Sequence, residues 1–393
     1  MPVGACKNRM YRLGLAALGR RSCCDALRSC GEIREAITPK SLGGILRHRH
    51  VVGASIQRIS QGHLAECYTA GLARLSPLPL PVTPDTLFRT ASIAKLATAL
   101  LVFRLQTLGR LEVEEAAEDF LGYPVRNPRF PHIPVTLGML LSHTSSLRDS
   151  PAYFSSFSHT VSLHTLLKDP SSFASHEPGS RFLYSNFAAG MIASLLEARF
   201  GRSFEALAQE FLFGPLGIGA TFDPSTLGDV PVADSYRVFP PARGPAFDAA
   251  QRVKDAKPLG MPKPETRYLL ASGNLYISAP HMARLLLPMT EKNTGNRAPF
   301  LNEKSLAQLR TPLGRWPDHR VPLGHGMGLM TLRDPQISSQ TLYGHQGFSY
   351  GAVNGVFFTT KGDGFVSFTS GASEQRQGHL AMLNRDLIRL FLP

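Results

Sequence analysis

Apolar residues between positions 90 and 108 recur at Ile93, Leu96, Ala97, Leu100, Leu101, Phe103, Leu105 and Leu108. That spacing predicts a helix with a broad buried stripe, ended by Gly109. Shorter helices are predicted over residues 136–142, over 187–200 with Gly201 as stop, and over 203–213. Residues 51–56 and 63–69 flank Gln61-Gly62 and read as two strands joined by a tight turn. From 110 to about 270 the pattern gives helices and Pro-rich loops without strand pairs, and the seven prolines of 229–264 suggest a long surface excursion. A helix over 280–288 then precedes glycine-separated strand-like pieces at 327–332, 352–359 and 365–370. An amphipathic helix over 379–392 closes the chain.

Strands at both ends with helices between them imply an α/β fold with a helical insertion. The expected organisation is a basic N-terminal extension over 1–45, with a possible helix over 24–37. A discontinuous α/β sheet domain follows over 46–109 and 275–393, with a mostly helical domain over 110–274.

Composition narrows the class. The 393 residues are 43% hydrophobic and 18% charged, which excludes wholesale disorder. No apolar run approaches the roughly 18 residues of a membrane-spanning helix. The net charge of +13 invites a nucleic-acid partner. However, residues 1–50 carry ten Lys/Arg against three acids, so the body is only mildly basic and nucleic acid is not the expected partner. The five cysteines all lie within the first 67 residues, without Cys-x-x-Cys spacing. The N-terminal apolar piece is too short for a good signal peptide, which favours a cytoplasmic location. Oligomeric state is left open.

Three short elements could carry chemistry. Ser92 and Lys95 stand at i and i+3 at the start of the strongest predicted helix, so the amine reaches the hydroxyl within one turn. Lysine serves as a base only when desolvated, and an apolar helix start beside the positive dipole end favours the neutral amine. Chance alone supplies about one such tetrad in this composition, so placement matters more than the motif. Tyr184-Ser185-Asn186 precedes a helix; the tyrosine could relay protons, while Asn186 could orient the lysine or simply cap the helix. His345-Gln346-Gly347 lies among glycines, where a strand edge bordering a cleft would offer His345 as a polar or cationic substrate contact. The N–H groups of Ser92 and Phe348 could then receive an oxyanion.

In order and surroundings these elements resemble the serine β-lactamase and penicillin-recognising hydrolase superfamily. The class C branch and its relatives (DD-peptidases, esterases, D-amino-acid amidases) are the most similar. The resemblance runs through Thr86 to Lys95, Leu140 to Leu147, Pro178-Gly179 with Tyr184-Ser185-Asn186, Gly214 to Gly217, and Gly344 to Gly347. It implies a β-lactamase-like fold: an antiparallel sheet flanked by N- and C-terminal helices, plus a mostly α domain. It further implies a serine hydrolase acylated at Ser92, with Lys95 and Tyr184 as base and proton relay. Asn186, His345, Gly347 and Phe348 would contact small esters, amides or β-lactam-like substrates. Such relatives favour a periplasmic or secreted location. The chain departs from the pattern at His345, where many β-lactamases have Lys, and at Ser146, where a glycine is common. A catalytically inactive relative serving in binding or assembly is the alternative.

Three rival sites are weaker. Gly347-Phe348-Ser349-Tyr350-Gly351 matches a nucleophile elbow, with Asp363 and His379 following, but a strand is predicted where the elbow needs a helix. His143 could act as a triad base, although the resemblance treats its loop as structural. His48-Arg49-His50 lacks the companions of a metal site. No Gly-rich loop has nucleotide spacing, so no cofactor is expected.

Overall fold

The computed structural model describes residues 27–30, 39–240, 242–290, 299–317 and 320–393. Its centre is an antiparallel ten-stranded sheet. In chain order the strands along its main path are β1 (Leu27–Cys30), β2 (Gly53–Ser60), β3 (His63–Arg74), β4 (Gly314–Arg315), β5 (Leu323–His325), β6 (Met330–Leu332), β7 (Leu342–Ser349), β8 (Ala352–Phe358) and β9 (Gly364–Gly371). Their spatial order is β1-β3-β2-β9-β8-β7-β6-β5-β4, with Leu80–Pro81 paired alongside β3. N-terminal and C-terminal strands thus meet where β2 pairs β9, with Ile56 opposite Ser367.

Every residue of β8 and β9 is buried, because both faces of the sheet are covered. Val356, Phe358, Val366 and Phe368 point into the larger core, while Val353, Phe357 and Phe365 point into a second core on the opposite face. That second core is closed by helix α1 (Pro39–His48), through Leu42 and Leu46, and by the C-terminal helix α4 (Met382–Phe391), through Leu383, Leu387 and Ile388. Helix α1 therefore runs across the expected boundary at residue 45. The expected helix over 24–37 is a strand where it is described: Leu27–Cys30 pairs with β3, Cys30 opposite Cys67.

Helix α2 (Ala94–Thr107) is entered through a 3-10 turn, Ala91–Ile93, and Gly109 beyond its end is left-handed at φ 65°. The stripe read from the sequence is too narrow. Among its residues only Arg104 and Thr107 escape burial. Lys95 is the one ionisable side chain buried on this helix.

Helix α3 (Asn186–Phe200) starts at Ser185, whose hydroxyl accepts from the Ala188 N–H, and stops at left-handed Gly201. A Cβ at Gly190 would lie 1.7 Å from the Tyr268 carbonyl oxygen, so the turn at Arg267–Leu269 can press directly onto α3. That turn leads to Ser272.

The proline-rich excursion contains a hairpin, Ser235–Phe239 with Ala242–Phe247, that the sequence pattern conceals. His345 lies on β7 opposite Val356 of β8, just beyond Gly344, the last β7 residue that pairs with β6, so this stretch of the strand borders the cavity as expected. Among the described residues no helix is long and apolar enough to cross a membrane.

Candidate active site

Ser92 sits in the 3-10 turn that leads into α2, directly after Ala91, which holds a left-handed φ of 53°. Such a conformation in a non-glycine residue costs free energy of about 1–3 kcal/mol and fixes the following hydroxyl. Strand β7 passes immediately beside this turn. A Cβ on Gly347 would stand 2.2 Å from the Thr90 carbonyl oxygen, so only glycine permits the approach.

One helical turn after Ser92, Lys95 is 3% exposed. Its Nζ lies 3.3 Å from Ser92 Oγ, 2.8 Å from Asn186 Oδ1 and 2.7 Å from the Ser272 carbonyl oxygen. Burial lowers the lysine pKa to about 7; Asp149 works against that shift and Arg89 adds to it. A neutral amine has two hydrogens and one lone pair. The two shortest contacts are to carbonyl oxygens, which can only accept, so both hydrogens are committed and the lone pair is left for the serine hydroxyl.

The Asn186 amide is oriented by Asp149. Asp149 Oδ2 accepts from Asn186 Nδ2 at 2.8 Å, which turns the amide oxygen toward Lys95. Asp149 Oδ1 accepts from Ser185 Oγ and from the Phe187 N–H, both at 2.9 Å. Ser185, not Asn186, caps the helix, and this frees the asparagine to face the lysine.

Tyr184 arrives from the loop before α3. Lys95 Nζ is 5.1 Å from its ring centroid, and its phenol interacts with the Ser92 hydroxyl. Burial pushes the phenol pKa up, and Ser92 opposes the shift. The ring is held between His143, at 4.3 Å between centroids, and Trp316, at 5.0 Å. His143 is buried, with Nδ1 accepting from the Ser185 N–H at 3.2 Å. Burial, then His325 and Lys95, holds it well below the usual imidazole pKa. It orders the Tyr-Ser-Asn turn and forms no triad.

His345 donates from Nδ1 to the Gln346 carbonyl at 2.7 Å, and its buried Nε2 has no hydrogen-bond partner. Burial, with His325 and Lys95 adding to it, keeps its pKa well below the ordinary value. Of the two contacts expected from it, the polar one fits this environment and the cationic one does not. Ser146 stands at φ 61°, the conformation a glycine would adopt easily, and its Oγ accepts from Asn127 Nδ2 at 3.0 Å.

The structure brings Ser92, Tyr184, Asn186, His345 and Phe348 to one cavity of about 460 Å3, and Lys95 reaches it through Ser92. Phe154 and Phe157 line the same cavity and remain more than half exposed. Sequence reading missed Asp149, Ser272 and Arg89. Asp149 had a signal: it is the only acidic residue between Asp119 and Asp169. Ser272 contributes only its carbonyl, so it had none. The rival elbow is not one. Ser349 ends β7, Tyr350 and Gly351 turn with φ of 53° and 91°, and β8 follows at once.

Comparison with known proteins bears on the fold and the family. The chain is 26% identical over 182 residues to "Penicillin-binding protein 4*" of Bacillus subtilis (strain 168), covering 45% of this chain and 39% of that protein. It is 30% identical over 192 residues to "Esterase EstB" of Burkholderia gladioli, covering 44% of this chain and 47% of the esterase. These matches span about half or less of either relative. Among solved structures, the hydrolase EstCE1 superposes with a TM-score of 0.69 at 19% identity, covering 89% of this chain and 98% of that one. The D-amino acid amidase of Ochrobactrum anthropi SV3 superposes at 0.68 and 21%, covering 89% and 96%. At such identities they show the shared fold. The Beta-lactamase family model matches residues 42–387, nearly the whole described body, and the chain belongs to that family.

Proposed function

We propose that the protein is a metal-free serine hydrolase that forms an acyl-enzyme at Ser92. The observation that carries this reading is the Lys95 amine, buried and with both hydrogens committed to Asn186 Oδ1 and the Ser272 carbonyl, facing Ser92 Oγ. In acylation, Ser92 Oγ attacks the substrate carbonyl carbon while its proton passes to Lys95 Nζ. Tyr184 carries a proton to the departing oxygen or nitrogen as that bond breaks, and Lys95 restores the Tyr184 proton. The N–H groups of Ser92 and Phe348 receive the oxyanion. Water then attacks the acyl-enzyme by the same proton route in reverse, releasing the acid and Ser92.

Small esters, amides and β-lactam-like molecules fit the 460 Å3 cavity. Relatives bearing esterase and penicillin-binding names support the same range. The catalytically inactive alternative gains nothing from the site, since serine, amine and phenol are assembled together. The test is turnover of short-chain nitrophenyl esters, nitrocefin and D-alanyl peptides by the wild-type protein and Ser92→Ala. Turnover confined to wild type is expected; silence across the panel from folded protein would overturn the reading.

A further inference from the structure

The active-site cavity adjoins a second one of about 880 Å3, and Arg89, Phe157, Leu269 and Tyr350 line both. Arg89 stands at their junction, three residues before Ser92. Its Nη1 donates to Ser349 Oγ at 3.1 Å and its Nε to Asn274 Oδ1 at 3.3 Å, both neutral acceptors. No carboxylate pairs with it among the described residues, and Nη2 has no hydrogen-bond partner there. Arg267, which also lines the second cavity, differs in being paired with Glu197 at 2.8 Å.

The wall around Arg89 is built to keep it in place. The Phe247 ring lies 5.1 Å from the Arg89 guanidinium and 4.6 Å from that of Arg252, and it stacks on Tyr350 at 5.1 Å. Two cations therefore flank one ring in the wall of the second cavity. Asp248 and Asp255 line the second cavity too, but both are exposed. Asp248 Oδ1 accepts from the Gln251 N–H, and Asp255 Oδ1 accepts from Gln251 Nε2. A largely buried guanidinium without a counter-ion is costly, and a carboxylate is the partner its planar fork matches best.

The leaving group departs on the Tyr184 side, and Tyr184, Trp316 and His345 line only the first cavity. The acyl portion must then extend the other way, toward Arg89. We infer that Arg89, supported by Arg252 across Phe247, is an anion subsite that selects substrates whose acyl portion carries its own carboxylate. These are the half-esters and half-amides of dicarboxylic acids. This inference rests on the acyl-enzyme reading above for the direction of the substrate.

The test compares monophenyl adipate and monophenyl pimelate with phenyl hexanoate and phenyl heptanoate. The ratio of kcat/KM should favour the half-esters by about tenfold or more, the scale of a charge-assisted hydrogen bond, and fall toward unity in Arg89→Gln. No preference in wild type, or a preference that survives Arg89→Gln in folded protein, would overturn the inference. The hydrolase reading stands or falls on the nitrophenyl ester, nitrocefin and D-alanyl peptide panel; if none of these four esters is cleaved, calorimetry decides the subsite separately. Free adipate should bind Ser92→Ala protein and lose that binding when Arg89→Gln is added. Absent or undiminished binding would contradict the assignment.

Discussion

Asn186 presents its amide oxygen to Lys95 Nζ at 2.8 Å because Asp149 holds the amide nitrogen from the other side at 2.8 Å. A carboxylate outside the three recognised elements thus determines which atom of the asparagine meets the lysine. With the Ser272 carbonyl, that contact leaves a neutral amine one free lone pair for Ser92.

The first expected consequence is a pH profile. On the proposed mechanism acylation needs neutral Lys95, whose pKa burial lowers to about 7. The acylation rate should therefore rise with pH through about 7 and level off above it, as read by stopped-flow acylation across pH 5 to about 9.

Replacing Asp149 should move that limb. Its charge raises the Lys95 pKa, so Asp149→Asn should shift the limb to lower pH. The new amide would also set a donor against Asn186 Nδ2, favouring an amide flip that turns NH2 toward Lys95. Acylation should slow while the substrate KM changes little. Lost hydrogen bonds at the start of α3 should cost about 1–3 kcal/mol in denaturant unfolding. An unmoved limb would mean that Asp149 serves the helix start alone.

Lys95→Arg retains a positive charge but supplies no lone pair, since guanidinium stays protonated. Turnover should fall by about 10²–10⁴-fold, and Lys95→Met should fall similarly. A Lys95→Arg variant with near wild-type turnover would remove lysine as the base.

Gly347→Ala should be damaging for a geometric reason. The added methyl would meet the Thr90 carbonyl oxygen at 2.2 Å and force β7 away from the Ser92 turn. Overpacking of this kind costs about 1–3 kcal/mol, and acylation should fall with it. Thermal melting combined with active-site labelling separates the two effects.

Where the hydrophobic pattern is local, the fold was legible. Helices α2 and α3 and the β2–β3 hairpin follow from apolar spacing and from Gly109, Gly201 and Gly62. The pattern understated α2 because Thr98 and Gln106 look like a solvent face. In the fold Thr98 donates to the Ala94 carbonyl and Gln106 bonds Ser305 and Gln308, so both are buried at little cost. Strand β7 was hard to place because Gly344 and Gly347 dilute its strand character. Those glycines are needed where backbone approaches backbone, which becomes visible only once the chain is folded. The hairpin at 235–247 was hidden by Pro240, Pro241 and Pro245. Residues 92, 95, 184 and 186 were recognisable as a set. Asp149 and Ser272 were not, because one works through another side chain and the other through its backbone.

Intact-mass spectrometry after incubation with a fluorophosphonate and with a penicillin, followed by fragmentation of the adduct peptide, is the most direct measurement. One covalent adduct on Ser92, absent in Ser92→Ala and diminished in Lys95→Met, is the predicted result. An adduct on Ser349 or another residue, or none in protein shown to be folded, would contradict the assignment of Ser92 and Lys95 as nucleophile and base.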